Sequence, residues 1–438
     1  MQNLAEVTLW GEQVGALSFD PERKLSTFEY ASNWISGGVD IAPLHMPLST
    51  QLYEFPQLNA DTYKGLPAVF ADSLPDYFGN AVIDAWLASN GRDPHSFSPL
   101  ERLLYSGNRG MGALEYQPAL RQQGSPTDAI ELTSLVKVAQ QILDDRAHLA
   151  ESLGKDADNQ HAMNAIFQVG TSAGGARPKV VIAVNPDRTE IRSGQMNGQE
   201  GFEHYLLKFD GVVEGQANSE VFGDPKGFGR MEYAYYLMAK DAGIDMSPSE
   251  LLEEGERAHF MTKRFDRDGN KKLHYASLCA MDHADYKHPG SYSYEQLLTV
   301  ARKLRLPRAD AIEIFRRMVF NVVARNHDDH AKNFGFLLRS PTAKWQLSPA
   351  FDVAYSYKKG SVWVNSHQLS VNGKRDDFIT EDLLAVSTLI GNFSKEAKEI
   401  INHVSTVVSE WDYFAKKAGV FTNLGQEIKH NHRLMACK

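Results

Sequence analysis

RNHDDHAKNFGF, residues 325–336, is the stretch on which the interpretation of this chain depends. It follows an apolar helix predicted over 312–324 and places two Asp, two His, one Lys and one Asn within positions 327–333. Asp328 and Asn333 are separated by four residues. A short loop with this spacing holds a carboxylate that can accept a proton beside an amide oxygen that can bind a hard cation. The stretch therefore predicts a catalytic loop.

A second acidic residue follows at a defined distance. A β-hairpin is predicted from residues 334–338 and 345–347, and it leads to Asp352, 19 residues after Asn333. Protein kinases use a D-x-x-x-x-N catalytic loop and place a further magnesium-binding Asp on a later loop. The pattern favours ATP-dependent phosphotransfer with Mg²⁺, in which Asp328 accepts the hydroxyl proton and Asn333 and Asp352 bind the metal ion.

The same loop allows a metal-dependent hydrolase as an alternative. Four adjacent side chains could in principle bind a metal: His327, Asp328, Asp329 and His330. Four consecutive residues cannot all face one ion, and the sequence contains no H-E-x-x-H or C-x-x-C motif to supply the missing zinc ligands. Two adjacent carboxylates also leave open which one is the base, although the spacing to Asn333 favours Asp328.

Composition is that of a large globular protein. The 438 residues are 42% hydrophobic and 23% charged, and this length suggests roughly two or three domains. The two cysteines, Cys279 and Cys437, offer neither a disulfide framework nor a zinc pattern. We expect no signal peptide and no membrane span, and hence a cytoplasmic protein. The net charge of −9 gives no general attraction to nucleic acid.

Periodicity along the chain predicts an α+β fold. We expect a two-lobed, protein-kinase-like body with a β-rich N-lobe and an all-helical C-lobe, preceded by an N-terminal α+β subdomain. Ser394 is a favourable N-cap for a helix over 395–411. The predicted boundaries are 1–116 for the N-terminal subdomain, 117–128 for a linker, 129–265 for the N-lobe and 266–438 for the C-lobe.

A glycine-rich segment, GTSAGGARPK at 170–179, could let backbone amides approach phosphates. It has neither the Walker ending nor the G-x-G-x-x-G of kinases, so a plain flexible turn is equally compatible. It also matches G-x-S-x-G, the nucleophile elbow of α/β-hydrolases. An elbow requires a helix after the serine, whereas glycines, Pro178 and a β-branched run follow here. A serine hydrolase is therefore disfavoured.

A strand lysine provides a further candidate for nucleotide binding. Lys208 lies in the predicted strand 204–209 and could contact ATP phosphates, while Glu232 on the following helix could pair with it. A lysine at a strand edge with its ammonium group in water is the alternative. Glycine loop, strand lysine, catalytic loop and metal-binding Asp nevertheless follow each other in the order typical of kinases.

Several segments together resemble the HipA family, the kinase toxins of bacterial toxin–antitoxin pairs. The resemblance covers nearly the whole chain. The segments that carry it are 71–76 (ADSLPD), 107–112 (GNRGMG), 171–179, 204–210, 264–267 (RFDR), 327–333 and 349–352.

The resemblance implies a role for each matching residue. Asp328 would be the catalytic base, and Asn333 and Asp352 the magnesium ligands. His330 and Lys332 would lie beside the phosphates. Ser172 would be autophosphorylated, which adds about −1.5 to −2 charges and silences the enzyme. The ATP phosphate site would comprise Gly174, Gly175, Ala176, Arg177, Pro178, Lys179 and Lys208, and the adenine hinge Lys263, Arg264 and Phe265.

The resemblance also implies partners. Family members bind a small helix-turn-helix antitoxin, HipB-like, and with it repress their own operon on operator DNA. Lys374 and Arg375 would lie near the DNA, although a solvated surface pair is an equal alternative. Glutamyl-tRNA synthetase is a known family substrate. A catalytically weak pseudokinase that acts only as a co-repressor remains the alternative function.

Overall fold

The computed structural model describes residues 2–120, 130–144, 166–167, 177–194, 201–213 and 223–437. The chain divides into two compact units. The first comprises Met1–Ile41, Met46–Gly229 and Glu250–Tyr275, and the second comprises Ala42–His45, Arg230–Ser249 and Ala276–Lys438. The first unit therefore contains residues of both the predicted N-terminal subdomain, 1–116, and the predicted N-lobe, 129–265. The boundary between these two domains stays a prediction.

The first unit begins with a four-stranded antiparallel sheet in the order β3-β2-β1-β4. Apolar residues of β1 such as Val7 and Leu9 are fully buried. The β1–β2 turn is Trp10-Gly11, and both residues have positive φ, 54° and 85°, as a type I′ hairpin requires. The strands are Leu4–Leu9 (β1), Glu12–Asp20 (β2), Leu25–Tyr30 (β3) and Leu114–Gln117 (β4).

Five helices separate β3 from β4. Ser98 and Glu101 form a capping box at the last of them, so its first turn has satisfied amides. The helices are Ser32–Gly37 (α1), Ala60–Tyr63 (α2), Ala68–Ala71 (α3), Tyr77–Ser89 (α4) and Pro99–Ser106 (α5), with a 3₁₀ turn at Pro94–Ser96.

A five-stranded sheet in the order β10-β11-β7-β5-β6 forms the rest of this unit with helix Leu132–Asp144 (α6). Residues of α4, α6, β5 and β7 share one apolar core that includes Val82, Leu135, Ile182 and Leu207. The strands are Lys179–Val184 (β5), Ile191–Ser193 (β6), Glu203–Lys208 (β7), Ser249–Glu254 (β10) and Arg257–Lys263 (β11). Short pairs are Val212–Val213 (β8) with Gly223–Asp224 (β9), and Arg267–Asp268 (β12) with Lys271–Lys272 (β13).

A buried charge cluster joins two distant segments of the first unit. The fully buried carboxylate of Asp266 accepts bonds from the guanidinium groups of Arg264 and Arg267 at 2.6–2.8 Å and from the amide of Gly112 at 2.7 Å. Both guanidinium groups also donate to the carbonyl of Gly110 at 3.2 Å. Burial acts to raise the pKa of Asp266, but the two neighbouring positive charges outweigh it and hold this pKa well below the ordinary value.

The second unit is mainly helical and contains a three-stranded sheet, β14-β15-β16. The hairpin predicted after the catalytic loop is confirmed, with Phe336 opposite Leu347. The strands are His274–Ser277 (β14), Gly335–Leu338 (β15) and Gln346–Leu347 (β16). The helices are Phe228–Asp241 (α7), Leu278–Asp282 (α8), Tyr294–Lys303 (α9), Arg308–Val323 (α10), Thr380–Ser387 (α11), Ser394–Ser409 (α12), Trp411–Ala418 (α13) and Thr422–Asn431 (α14).

The predicted cap of α12 is wrong. Phe393 occupies the N-cap position without a side-chain bond, and Ser394 is the first helical residue. The helix also ends at Ser409, and Trp411 begins the separate helix α13. In the part of the chain that the structure describes, no helix combines the length and apolar character needed to cross a bilayer.

We expect Asp266→Ala to lower the free energy of unfolding by about 3–5 kcal/mol, because it leaves two buried guanidinium groups without their counter-ion. Asp268→Ala, at an exposed position two residues away, is the matched control. Urea denaturation measures both. Since the folded-state pKa of Asp266 lies below the unfolded value of about 3.9, its contribution is present above about pH 4 and is lost as the pH falls further. Equal stability of the two variants would contradict a structural role for the cluster.

Candidate active site

Backbone bonds connect the loop that carries Asp328 to the loop that carries Asp352. After α10, Arg325 adopts a left-handed φ of 59° and turns the chain. The amide of His327 then donates to the carbonyl of Ser356 at 3.1 Å, and the amide of Ser356 donates to the carbonyl of Arg325 at 3.1 Å. Ser356 lies only four residues after Asp352, so both loops belong to one local framework.

Asp329 anchors the catalytic loop. Its side chain is fully buried and accepts three hydrogen bonds of 2.8 Å, from the hydroxyl of Tyr294, the Nδ1 of His367 and the amide of Gln368. Burial next to this carboxylate raises the pKa of Tyr294 well above its usual value, so the phenol stays a donor. A carboxylate with its oxygens engaged in this way holds the loop in place and is not positioned for proton transfer.

Asp328 faces the other way. Consecutive side chains of an extended segment point to opposite sides, and 45% of the Asp328 side chain is exposed next to the buried Asp329. The Nε2 of His330 lies 3.6 Å from the Asp328 carboxylate. The two adjacent carboxylates thus differ in burial, and Asp328 is the one that an incoming hydroxyl could reach.

Asn333 is oriented by the same loop. It closes the 3₁₀ turn Ala331–Asn333, and its Nδ2 donates to the backbone carbonyl of Asp328 at 2.7 Å. Because this carbonyl occupies the Nδ2 atom, Oδ1 is the side-chain atom that could serve as a metal ligand. The ammonium group of Lys332 lies 5.1 Å from the ring centroid of Tyr286.

Asp352 occupies a strained position. It is half-buried and has a φ of 52°, in the left-handed region that Asp adopts less readily than Gly. The preceding Ala350 is held by a 2.7 Å bond from its amide to the carbonyl of Asp245, and Ser356 is held as described above. A conformation of this kind persists only where the surroundings fix it, which is common at functional sites. The oxygen-only donors of Asn333 and Asp352 fit the ligand preference of Mg²⁺.

The consecutive residues that suggested a zinc hydrolase diverge. The Nδ1 of His327 bonds the carbonyl of Val364 at 3.1 Å, and its Nε2 bonds Arg325 at 3.0 Å. Burial, with the nearby His367 and Arg325, lowers the pKa of His327 to about 3, so the ring is neutral with both nitrogens occupied. Across the described residues, no three or more His, Cys, Asp or Glu side chains are grouped to hold a metal ion.

Two lysines lie side by side in the sheet of the first unit. Lys179 and Lys208 are direct partners in the β5–β7 pairing, and each residue is at most 4% exposed. The ammonium group of Lys179 lies 3.7 Å from the carboxylate of Asp76, which also caps α4 by accepting from the amide of Gly79. Two buried positive charges thus lie at facing positions of this sheet, and one of them is close to a carboxylate.

Asp76 was not identified from the sequence as a partner of Lys179. It appeared only as the last residue of the ADSLPD segment, and the structure places it at the N-cap of α4. Nothing in the local sequence connects it to a strand a hundred residues later.

The predicted hinge residues have different environments. The Lys263 ammonium group pairs with Glu203, and the amide of Arg264 donates to the carbonyl of His204 at 2.9 Å. The guanidinium group of Arg264 is bound to Asp266, so only its backbone could contact adenine. The ring of Phe265 lies 5.6 Å from that of Tyr275.

The remaining predicted residues are distributed as follows. Arg177 and Pro178 directly precede β5. Ser172, Gly174, Gly175 and Ala176 lie outside the described residues. Lys374 and Arg375 form part of a turn, where the Lys374 ammonium bonds Asp382 at 2.8 Å and the Arg375 Nε bonds the carbonyl of His367 at 2.7 Å. Both side chains thus have intramolecular partners, and their predicted contact with DNA stays a prediction.

Comparison with known families agrees with the resemblance seen in the sequence. Residues 5–117 match the HipA N-terminal domain, and residues 171–411 match the HipA-like C-terminal domain. The chain belongs to the HipA family. A curated relative of this HipA-family chain is "Putative kinase Y4mE" of Sinorhizobium fredii, 24% identical over 155 residues. That match spans 32% of this chain and 36% of the relative, about a third of the relative's length.

One solved structure of a HipA protein shows the same fold. Shewanella oneidensis HipA, in a complex with HipB and its operator DNA, matches with a TM-score of 0.65 at 17% identity, over 97% of this chain and 96% of that one. The proinflammatory kinase CtkA of Helicobacter pylori gives a TM-score of 0.32 at 16% identity, over 52% of this chain and 92% of that one. The first match confirms the predicted α+β fold class.

Asp329→Asn and Asp328→Asn are expected to differ in stability although the residues are adjacent. At position 329 the NH₂ group of the new Asn side chain faces three hydrogen-bond donors, and the charge-assisted bonds to the carboxylate are lost. We therefore expect the free energy of unfolding to fall by about 2–4 kcal/mol. At the half-exposed position 328 the loss stays below about 0.5 kcal/mol. Chemical denaturation of both variants beside the unsubstituted protein provides the comparison, and an unchanged stability of Asp329→Asn would show that the anchor is not needed.

Proposed function

We propose that this chain is an ATP-dependent serine/threonine protein kinase that acts as the toxin of a HipA/HipB-like pair. The observation that carries the proposal is the arrangement around Asp328. One loop presents the partly exposed carboxylate of Asp328, the buried anchoring carboxylate of Asp329 and the side-chain amide of Asn333. Backbone bonds connect this loop to the loop of Asp352. Membership of the HipA family and a relative named as a kinase support the same activity.

In this proposal Asp328 accepts the proton of a serine or threonine hydroxyl as its oxygen attacks the terminal phosphorus of ATP. The bond between that phosphorus and the oxygen that bridges to the next phosphate breaks, and ADP leaves. A positioned general base of this kind contributes about 10²–10⁴-fold to the rate. The anchor at Asp329 holds the Asp328 carboxylate in one direction, so little ordering remains to occur when the acceptor arrives.

In this proposal the nucleotide ligands are assigned by resemblance to the HipA family. Mg²⁺ bound by Asn333 and Asp352 would neutralise charge on the phosphates. Lys179 and Lys208 would supply positive charge for the phosphates, and the backbone of 174–179, including Arg177 and Pro178, would contribute amides to them. His330 and Lys332 lie on the proposed catalytic loop, and by resemblance to the family they would also contact the phosphates. Lys263, the backbone of Arg264 and Phe265 would contact adenine.

The toxin role and its partners are part of the same proposal. The Shewanella HipA structure contains HipB and operator DNA, which supports a helix-turn-helix antitoxin and co-repression of the operon for this chain in the bacterial cytoplasm. Glutamyl-tRNA synthetase is the proposed acceptor class, since family members phosphorylate it. Autophosphorylation of Ser172 would silence the kinase by placing a dianion where ATP phosphates bind.

Asp328→Asn tests the proposed base. We expect phosphate transfer to protein acceptors to fall about 100- to 10,000-fold, while MgATP still binds because the nucleotide ligands remain. Radiolabelled ATP measures transfer and calorimetry measures binding. Asp377→Asn, a change at an exposed Asp of the same unit, is the control. Unchanged transfer would rule out Asp328 as the base, and absence of MgATP binding in the unsubstituted protein would favour the co-repressor alternative.

Incubation with ATP and Mg²⁺ is expected to add one phosphate at Ser172, detected by intact-mass and peptide mass spectrometry. EDTA should prevent the modification, because the phosphates then lack their metal ion. Ser172→Ala should abolish this phosphate without lowering MgATP affinity. Phosphate release to water with no modified protein would instead favour the magnesium-dependent hydrolase.

A further inference from the structure

Residues 358–364 form an ordered loop shortly after the Asp352 segment. The Oγ atom of Ser361 accepts bonds from the amides of Trp363 at 3.1 Å and Val364 at 3.3 Å. The amide of Gly360 donates to the Oδ1 atom of Asn365 at 2.7 Å. These bonds satisfy the backbone of the loop internally, so its conformation does not depend on a partner.

This 358–364 loop displays apolar and basic side chains together. Val362 is 78% exposed and Trp363 is 42% exposed, and they are the only sequence neighbours among the large exposed hydrophobic residues of the described chain. Lys358 and Lys359 are exposed beside them, and neither ammonium group has an ion-pair partner among the described residues. A tryptophan and a valine held in water at a fixed position are typical of a binding surface.

The loop is attached to the residues on either side of Asp328. The Nδ1 of His327 donates to the carbonyl of Val364 at 3.1 Å. On the other side Gln368 forms a bridge, because its side chain donates to the carbonyl of Trp363 and its amide donates to Asp329 at 2.8 Å.

The start of the loop is fixed as well. The ring of Tyr357 lies 4.3 Å from the guanidinium carbon of Arg325 and 5.2 Å from the ring of His327. The exposed side chains of the loop therefore keep a constant position relative to the Asp328 carboxylate.

We propose that the 358–364 loop is the docking surface for the acceptor protein, and that its occupant is an extended acceptor segment with an apolar side chain and a carboxylate near the phosphorylated hydroxyl. The inference rests on the proposed kinase function and adds the acceptor class to it. Val362 and Trp363 contact the apolar side chain, and Lys358 and Lys359 select Asp or Glu. A rigid connection to Asp328 lets binding at the loop bring the hydroxyl to the base.

Charge complementarity favours this occupant. The chain carries a net charge of −9, so a pair of exposed lysines without ion-pair partners is a local basic feature on an acidic protein. Such a feature attracts acidic segments and increases their encounter rate. An apolar anchor beside it supplies affinity, since an aromatic side chain buries about 150–250 Å² when covered.

The test uses the full-length protein and a positional-scanning library of 16-residue serine and threonine peptides. Unsubstituted protein should select an acidic residue and an apolar residue at fixed distances from the hydroxyl. Val362→Ser with Trp363→Ser should raise the peptide KM about tenfold, which corresponds to about 1.4 kcal/mol. Lys358→Glu with Lys359→Glu should reverse the acidic preference to a basic one. MgATP affinity, measured by calorimetry, should be retained in both variants.

Matched controls change equally exposed residues elsewhere in the second unit. Tyr413→Ser removes a 59% exposed aromatic side chain, and Lys395→Glu with Lys416→Glu makes the same change in charge as the loop variant. Neither control should alter peptide selection.

The docking role is wrong if the loop variants keep the peptide KM and selection of the unsubstituted protein. It is also wrong if the protein labels itself but no library peptide. A protein that binds MgATP but labels neither itself nor any peptide contradicts the kinase function itself. If the unsubstituted protein is a dimer in sedimentation and Trp363→Ser makes it a monomer with unchanged peptide kinetics, the loop is a self-association surface instead.

Discussion

The buried carboxylate of Asp329 is the contact on which the candidate site depends. It takes donors from α9, through Tyr294, and from residues 367 and 368, far along the chain, and so fixes the catalytic loop from two sides. A buried charge is stable only when its hydrogen bonds are complete, and this one accepts three. Because Asp329 faces the interior, its neighbour Asp328 faces outward, and Asn333 is aligned by the Asp328 carbonyl. The positions of the Asp328 carboxylate and the Asn333 side-chain amide therefore depend on the hydrogen-bonded carboxylate of Asp329.

Buried charges in the first unit follow the same physical rule with two different outcomes. The cluster of Arg264, Asp266 and Arg267 has its guanidinium groups bound to a central carboxylate and to backbone carbonyls, and its role is to hold the 107–112 loop. Lys179 and Lys208 instead place two cations at facing positions of the β5–β7 pairing, with the Asp76 carboxylate 3.7 Å from the Lys179 ammonium group. Buried positive charge in this unit is thus held next to carboxylates in both places.

The sequence predicted those elements whose signals are local. The hairpin after residues 327–333 and the helix that carries Glu232 follow from periodicity and turn residues. The D-x-x-x-x-N spacing predicts a catalytic loop, and this role stays a prediction. The different burial of Asp328 and Asp329 could not be predicted, because Tyr294 and His367 lie 35 and 38 residues away. The Lys179–Asp76 pair and the arginine cluster depend on long-range contacts in the same way. The prediction of Ser394 as the N-cap was wrong, because a serine suited to capping does not by itself decide which residue is the first in the helical conformation.

A crystal structure with Mg²⁺ and a non-hydrolysable ATP analogue would show whether the proposed residues bind the metal ion and the nucleotide. We expect one Mg²⁺ ion that is bound by both Asn333 Oδ1 and an Asp352 carboxylate oxygen at about 2.0–2.1 Å. We also expect the terminal phosphate to lie beside Asp328, with Asp329 still bonded to Tyr294 and His367. A nucleotide bound elsewhere, or an Asp352 carboxylate directed away from the metal ion and the phosphates, would contradict the proposed site.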